Sequence, residues 1–519
     1  MSTFERVVSR MSEPSFYSPR PSRVDVRETH VSMVFLAGGR VYKLKKPVRM
    51  PFLDYSTRER RRHFCEEEVR LNRRFAPDVY LGVRGIAERD GDLAMTAADD
   101  PAALEHTVVM RRYDEGATLE RLVATSAADA RLAEHVGARV AELHHAAPRA
   151  PAGYWTPRYV GERVEENFAT ARPEIGNLVD QLTFDALERF SRAFLHGHAA
   201  LLERRAATGR VREVHGDLRA EHVLIEGDRT SLVDCVEFDP RMRCIDVAAD
   251  VAFLTMDLER LGARPLAEAA ERAYVAATGD DEAPALLSFY GCYRACVRAK
   301  VAAIRIHQLD PADPARAAAQ EEARGLFALA LHLAWRARLP LAVVFCGVAG
   351  SGKSTLAAGL ARLSGLPHLS SDTVRKELAG IPPDRRGGPE LYEQESTART
   401  YAELAARARA ALAAGSGAIV DATFHRTEQR AALRDAGACV LWVECRAPEE
   451  TLRARTAARA HAPERGSDAA WPVAAAQLEA WEALSEIEPN DRHVLRTDRP
   501  VEACLDEADS FVSARVDGG

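Results

Sequence analysis

The pattern of apolar and polar positions changes character at about residue 340. Beyond it, short apolar runs at 341–346, 367–371, 417–421, 438–445 and 493–496 recur between longer stretches of helical spacing. Such alternation predicts a parallel, doubly wound five-stranded sheet, with its working groups at the carboxyl ends of the strands. Before residue 340 the pattern is mixed. Runs at 31–36 and 41–44 flank Ala-Gly-Gly-Arg and predict a β-hairpin, with Lys43 and Lys45 emerging on one face of its second strand. Residues 58–75 read as a charged amphipathic helix containing Glu66, Glu67 and Glu68, and 107–111 as another apolar strand. Helices follow at 130–145 and 181–205, broken by Pro148, Pro151 and Pro157. A second hairpin is expected at 223–226 and 231–233, and helices from about 250 to 337. The polar, proline-dotted residues 1–24 read as a flexible arm. The division expected is therefore 1–24 arm, 25–313 first domain, 314–339 connecting helix and 340–519 second domain, with Pro340 at the boundary.

Composition narrows the class. At 519 residues the chain exceeds a single core, and 47% apolar with 28% charged residues is ordinary for a globular protein. A net charge of −7 argues against a nucleic-acid coat or an anionic-membrane binder. No run is long enough to span a bilayer, and the first residues lack the apolar core of a secretory signal. With nine scattered cysteines, these features predict a cytoplasmic protein with reduced thiols. Basic residues are almost all arginine; only six lysines occur, at 43, 45, 46, 300, 353 and 376. Where arginine is the default, a lysine marks a place that wants a compact ammonium.

The most specific signal is Gly347-Val-Ala-Gly350-Ser351-Gly352-Lys353-Ser354-Thr355, which follows the strand 341–346 and opens a helix. It fits G-x-x-x-x-G-K-[ST] at every fixed position. Its glycines let backbone N–H groups turn onto a triphosphate, with the helix N-terminus behind them. Lys353 then meets the β- and γ-phosphates and Ser354 holds Mg²⁺. Asp372, after the second strand of this half, can take the proton of an acceptor hydroxyl while Arg375 grips the acceptor's charge. Asp421 ends an apolar strand where a carboxylate supports Mg²⁺. Arg455 and Arg459 share a helix face and suit a mobile lid closing on the transferring phosphoryl, with Arg453 nearby.

The first half holds a second constellation in 214–254, VHGDLRAEHVLIEGDRTSLVDCVEFDPRMRCIDVAADVAFL. Phosphoryl transfer needs one carboxylate at the acceptor hydroxyl and another on the metal. Asp217 and Asp234, separated by a hairpin, fit the two roles. A glycine-containing hairpin, a strand lysine and then a helix glutamate follow the order of a protein-kinase small lobe. The phosphate-binding lysine is Lys43 or Lys45; spacing leaves both open, with Lys43 preferred and paired with Glu68. In a bilobal kinase, which this order resembles, the strand ending near Met110 is where the backbone would meet the adenine. Arg294, Arg298 and Lys300, in an otherwise apolar helix, are assigned to an acceptor pocket selecting an acidic or phosphorylated substrate.

H-G-D-L-x-x-x-H-V-L followed by L-V-D resembles the aminoglycoside phosphotransferase and choline-kinase-like superfamily, whose usual form is H-G-D-L-H-x-x-N. The resemblance implies a bilobal, protein-kinase-like α+β domain with Asp217 as catalytic base, Asp234 on the metal and Asp250 bracing the catalytic loop. The family's metal-binding asparagine falls on His222, a neutral imidazole that favours softer ions than Mg²⁺. From 341 to about 500, the phosphate loop with S-S-D-x-x-R-K, V-D-A-T, R-x-x-x-R and S-D-A (467–469) resembles small P-loop kinases of the zeta-toxin, gluconate-kinase and chloramphenicol-phosphotransferase type. The whole is similar to bacterial fusions of the two. It implies a bifunctional kinase with two ATP·Mg²⁺ sites, each phosphorylating a hydroxyl of a small, sugar-like metabolite. The alternatives are antibiotic inactivation by the first domain, which its basic acceptor region disfavours, and a nucleotide-binding regulator with a pseudokinase lobe. No nucleic-acid or membrane partner is expected, and the oligomeric state is left open.

Overall fold

The apolar–polar alternation of the first hairpin becomes two antiparallel strands, Ser32–Ala37 and Arg40–Lys45, with Phe35 and Leu44 fully buried. The computed structural model describes residues 2–50, 53–382, 385, 388–436, 439–460 and 471–518. It divides into two compact units: residues 1–160 with 201–294, and residues 161–200 with 295–519.

In the first unit a six-stranded antiparallel sheet runs Val24–Glu28, Ser32–Ala37, Arg40–Lys45, Glu105–Arg111, Tyr80–Arg89, Asp92–Thr96 in spatial order. The helix Arg58–Asn72 packs on it through Cys65 and Val69, which join Tyr80, Val108, Met110 and Val233 in one apolar cluster. The hairpin Val223–Glu226 with Arg229–Leu232 carries Asp234 just beyond its second strand. The helix Val247–Arg260 is buried along nearly its whole length, as a helix apolar on every side must be.

Residues 1–24 are not a loose arm. Thr3–Met11 is a helix started by a Ser2–Glu5 capping box. Its Val7 and Met11 are fully buried, and they join Phe16, Tyr17, Phe35 and Tyr42 in a second cluster on the sheet. Apolar Phe4, Val7, Val8 and Met11 recur at helical spacing, and that stripe outweighs the prolines that follow it.

The second unit holds a parallel five-stranded sheet, in the order His368–Ser370, Ala418–Asp421, Leu341–Cys346, Cys439–Arg446, Arg492–Arg496. The central strand Leu341–Cys346 is buried at every position, because helices cover both faces of the sheet. The boundaries drawn from the sequence need correction here. The helix Pro314–Arg336, residues 161–200 and the rest of 295–339 pack with the nucleotide-loop half. The expected helix 181–205 is two helices, Gln181–Gly197 and Ala199–Ala207. Within this unit Arg338 is buried in ion pairs with Asp509 and Asp517, and Arg189 reaches Asp506 and Asp509. All nine cysteines are free thiols. No helix among the described residues is long and apolar enough to cross a membrane.

Candidate functional site

In the first unit the loop His215–Asp217 is shaped from behind. Gly216 has φ +84°, and a side chain there would meet the Met242 carbonyl at 2.6 Å, so glycine is required. Buried Asp250 accepts hydrogen bonds from the backbone N–H of His215 (3.1 Å) and Gly216 (2.8 Å), and its Oδ2 lies 3.1 Å from His144 Nε2. It braces the loop, as the resemblance implied. Asp217 is gripped by Arg219, Nη2 to Oδ2 at 2.9 Å. Burial pushes its carboxyl up, but Arg219 and His222 outweigh burial and hold it at about 2.

Asp234 adopts φ +64°, a left-handed conformation uncommon outside glycine. Its N–H donates to the Tyr80 hydroxyl (3.0 Å), and the following N–H donates to Asn72 Oδ1 (2.9 Å), so the helix and sheet fix this turn. Lys43 Nζ donates to Asp234 Oδ1 at 2.8 Å and stands 3.0 Å from Glu68 Oε1. The Lys43 ammonium, helped by His222, holds the Asp234 carboxyl far below the usual range.

His222 ties the two aspartates together. Its Nδ1 lies 2.7 Å from the Asp217 carbonyl oxygen, which can only accept, so Nδ1 carries the proton. Its Nε2 lies 3.9 Å from Asp234 Oδ2 and 3.4 Å from Arg219 Nη2. Arg219 on Asp217 and Lys43 on Asp234 occupy these carboxylates, and among the described residues no group of three carboxylate, imidazole or thiol donors is gathered closely enough to hold a metal ion.

The structure separates the two lysines. Lys43 reaches Asp234, whereas Lys45 is 1% exposed and enclosed by Glu68, Glu237 and Tyr55, leaving it no route to a ligand. Met110 is the penultimate residue of the strand Glu105–Arg111, paired with Val41 and Tyr80, and its side chain points into the core. The half-buried Tyr113 sits in the electrostatic field of Asp234 and Lys43, and no motif announced it.

The three basic residues assigned to an acceptor pocket do not form one. Arg294 is buried, donates to the Ala249 carbonyl and stacks on Phe253 at 4.6 Å. Beyond residue 294, in the second unit, Arg298 pairs with Glu322 (3.0 Å) and Lys300 lies 4.0 Å from Glu166. These cations serve packing and local ion pairs instead.

In the second unit Gly347, Gly350 and Gly352 have φ values of +145°, +84° and +89°. A Cβ on Gly347 would meet the Cys445 carbonyl at 2.6 Å and the buried Ser351 hydroxyl at 2.7 Å. The helix Lys353–Ser364 starts directly from Gly352, with Thr355 exposed in its first turn. Ser354 Oγ donates to Asp421 Oδ1 at 3.2 Å. His368 Nε2, 3.6 Å from the other Asp421 oxygen, is a neighbour that spacing did not reveal. Burial works against ionisation of Asp421, yet His368, Lys353 and Ser354 hold its carboxyl below the usual range. A serine hydroxyl on a buried carboxylate fits a Mg²⁺ site.

These groups open onto a cavity of about 680 Å³, lined also by Asp372, Arg375, Tyr392, Tyr401 and Gln477. Arg375 donates to Asp372 Oδ1 (3.1 Å) and lies over the Tyr392 ring at 4.8 Å. Burial raises the Asp372 carboxyl, outweighing the nearby Lys353 and Arg375. Gln477 Oε1 accepts from the Ala349 N–H at 2.8 Å, so a helix after the expected lid touches the phosphate loop. Arg455 is not on a free lid. It donates to the Gly350 carbonyl (3.3 Å) and to Thr497, whose hydroxyl bonds the Ser351 carbonyl at 2.6 Å. The Arg459 side chain and the motif at 467–469 lie outside the described residues.

Residues 59–290 match the model of the Phosphotransferase enzyme family, and 343–484 that of an AAA domain. An uncharacterized protein of Mycobacterium tuberculosis is 34% identical over 87% of this chain and 89% of its own length, as is one of Mycobacterium bovis. Among solved structures, a sugar kinase from Janibacter sp. HTCC2649 is 25% identical over 33% of this chain and 93% of its own, with a TM-score of 0.26. A choline/ethanolamine kinase family protein from Mesorhizobium loti is 13% identical over 63% of this chain and 99% of its own, with a TM-score of 0.38. This chain, in which a phosphotransferase domain precedes a P-loop kinase domain, belongs to the family of these mycobacterial proteins.

Proposed function

We propose that this phosphotransferase is bifunctional, with an ATP·Mg²⁺ site in each unit, each directing the terminal phosphoryl to a hydroxyl of a small acceptor. The observation that carries the reading is the Ser354–Asp421 hydrogen bond at the edge of a cavity that Lys353 and Asp372 also line. Bound Mg²⁺ would be held by Ser354 and Asp421 in the second unit and by Asp234 with His222 in the first, where it neutralises phosphate charge. In the second unit Lys353 and the glycine loop hold the triphosphate. Asp372, with its raised affinity for a proton, accepts the one released by the acceptor hydroxyl, and Arg375 aligns the acceptor. In the first unit Lys43 steadies the phosphates. Asp217, kept strongly acidic by Arg219, orients the acceptor hydroxyl more than it binds its proton. A cavity lined by carboxylate, arginine, tyrosine and amide groups supports a polar, hydroxylated acceptor.

Incubation with cell extract and γ-labelled ATP tests both halves. Asp217→Ala is expected to lose one labelled metabolite and Asp372→Ala another. A wild-type protein that binds ATP tightly yet labels nothing would establish the regulatory alternative, which the Arg219–Asp217 ion pair favours for the first unit.

A further inference from the structure

Lys45 is a buried ammonium that the chemistry above does not use. It donates to Glu68 Oε2 at 2.7 Å and to Glu237, and it lies 3.3 Å from the Tyr55 hydroxyl, which itself donates to Glu237 Oε1 at 2.6 Å. Glu68 is thus shared between two lysines: Oε2 is taken by Lys45, and Oε1 is turned to Lys43 at 3.0 Å. That Oε1 is buried and makes no hydrogen bond, while the Lys43 ammonium beside it donates to Asp234. Whenever Asp234 binds a cation instead, Glu68 Oε1 is already in place to receive Lys43.

The charges explain why Lys45 and Glu237 come as a pair. Lys43 and Lys45 are balanced by Glu68 and Glu237, which leaves the Asp234 carboxylate as the surplus charge facing outward. Burial works to discharge both ammonium groups, but Asp234, Glu68 and Glu237 outweigh it for Lys43, and Glu237 and Glu68 do so for Lys45. A buried charge that loses its partner seeks another. Without Lys45, Glu237 would draw the Lys43 ammonium inward, away from Asp234. Without Glu237, Lys45 would pull Glu68 from Lys43.

We propose that Lys45 and Glu237 are positioning residues for the first nucleotide site through their balance: each cancels the pull the other would exert on Lys43 or Glu68, so that Lys43 presents its ammonium to the triphosphate. This rests on reading the first unit as an ATP site.

The test uses the full chain carrying Lys353→Ala, which removes the phosphate-loop lysine, titrated with the fluorescent analogue mant-ATP in Mg²⁺ and melted in parallel. Lys45→Met and Glu237→Gln are each expected to weaken mant-ATP binding about tenfold, and the double variant to return to within about twofold of its parent. Single variants that melt earlier but bind mant-ATP like the parent would reduce the pair to a structural role and overturn the inference. If the single variants fail to fold, a folded double variant that binds about tenfold more weakly than the parent overturns it equally. A parent whose mant-ATP signal is unaffected by Lys43→Met removes the reading of the first unit as an ATP site, and the inference with it.

Discussion

The two aspartates proposed to meet an acceptor hydroxyl, Asp217 and Asp372, differ in their chemistry because their neighbours differ. Asp217 lies under a bidentate guanidinium and is strongly acidic, whereas Asp372 is desolvated and has its carboxyl raised despite one arginine contact. A base works only when ionised, so second-site turnover is expected to fall as pH drops through an apparent pKa above the ordinary carboxylate value of about 3.9. The pH–rate profile of the Asp217→Ala protein measures this. Restoring solvent access beside the carboxyl by Tyr401→Ser should move that limb to lower pH, and a limb that stays in place would clear Asp372 of the role. Motif and spacing singled out both aspartates as candidates. Their proton affinities were not legible, because burial and the Arg219 contact exist only in the folded chain.

At the scale of elements, local signals succeeded where the chemistry is local. Strand, glycine loop and helix around Gly347 are contiguous, and each glycine there adopts a backbone angle that other residues disfavour. Gly347→Ala is expected to destabilise the second unit by about 1–3 kcal/mol and to abolish its nucleotide binding, since the new Cβ meets a strand carbonyl. Thermal melting and mant-ATP titration measure the two effects, and retention of nucleotide binding would show that the loop tolerates a different path. Signals failed where an element's environment decided its use. Arg455 reads as a lid residue, yet Thr497 and the Gly350 carbonyl hold it to the loop. The first helix was legible in the stripe Phe4, Val7, Val8, Met11 behind its capping box, but the prolines after it obscured the pattern.

For the whole molecule, the second unit draws in residues 161–200 and 295–339. Buried Arg338 binds carboxylates near the C-terminus and lies over the Trp335 ring at 4.5 Å. Arg338→Leu leaves buried carboxylates without their cation and is expected to cost about 3–5 kcal/mol. A lowered melting temperature would record it, and a melting curve unchanged from wild type would show that the network stabilises nothing. A division at Pro340 could not have anticipated this packing, because helices far apart in sequence share no local signal.

Sequence alone determined what depends on consecutive residues: the phosphate loop, the parallel sheet that carries it, the His215–Asp217 loop and the order of lysine, glutamate and aspartates. A glycine's backbone freedom and an apolar run's need for burial act over a few residues and are written in the chain. Tertiary structure decided which lysine faces Asp234, that Lys45 is enclosed, that Arg294 is buried, and that Asp217 and Asp372 bind protons with different strength. Those outcomes arise from desolvation and from charges brought together across 191 residues between Lys43 and Asp234, interactions that exist only once the chain has closed on itself.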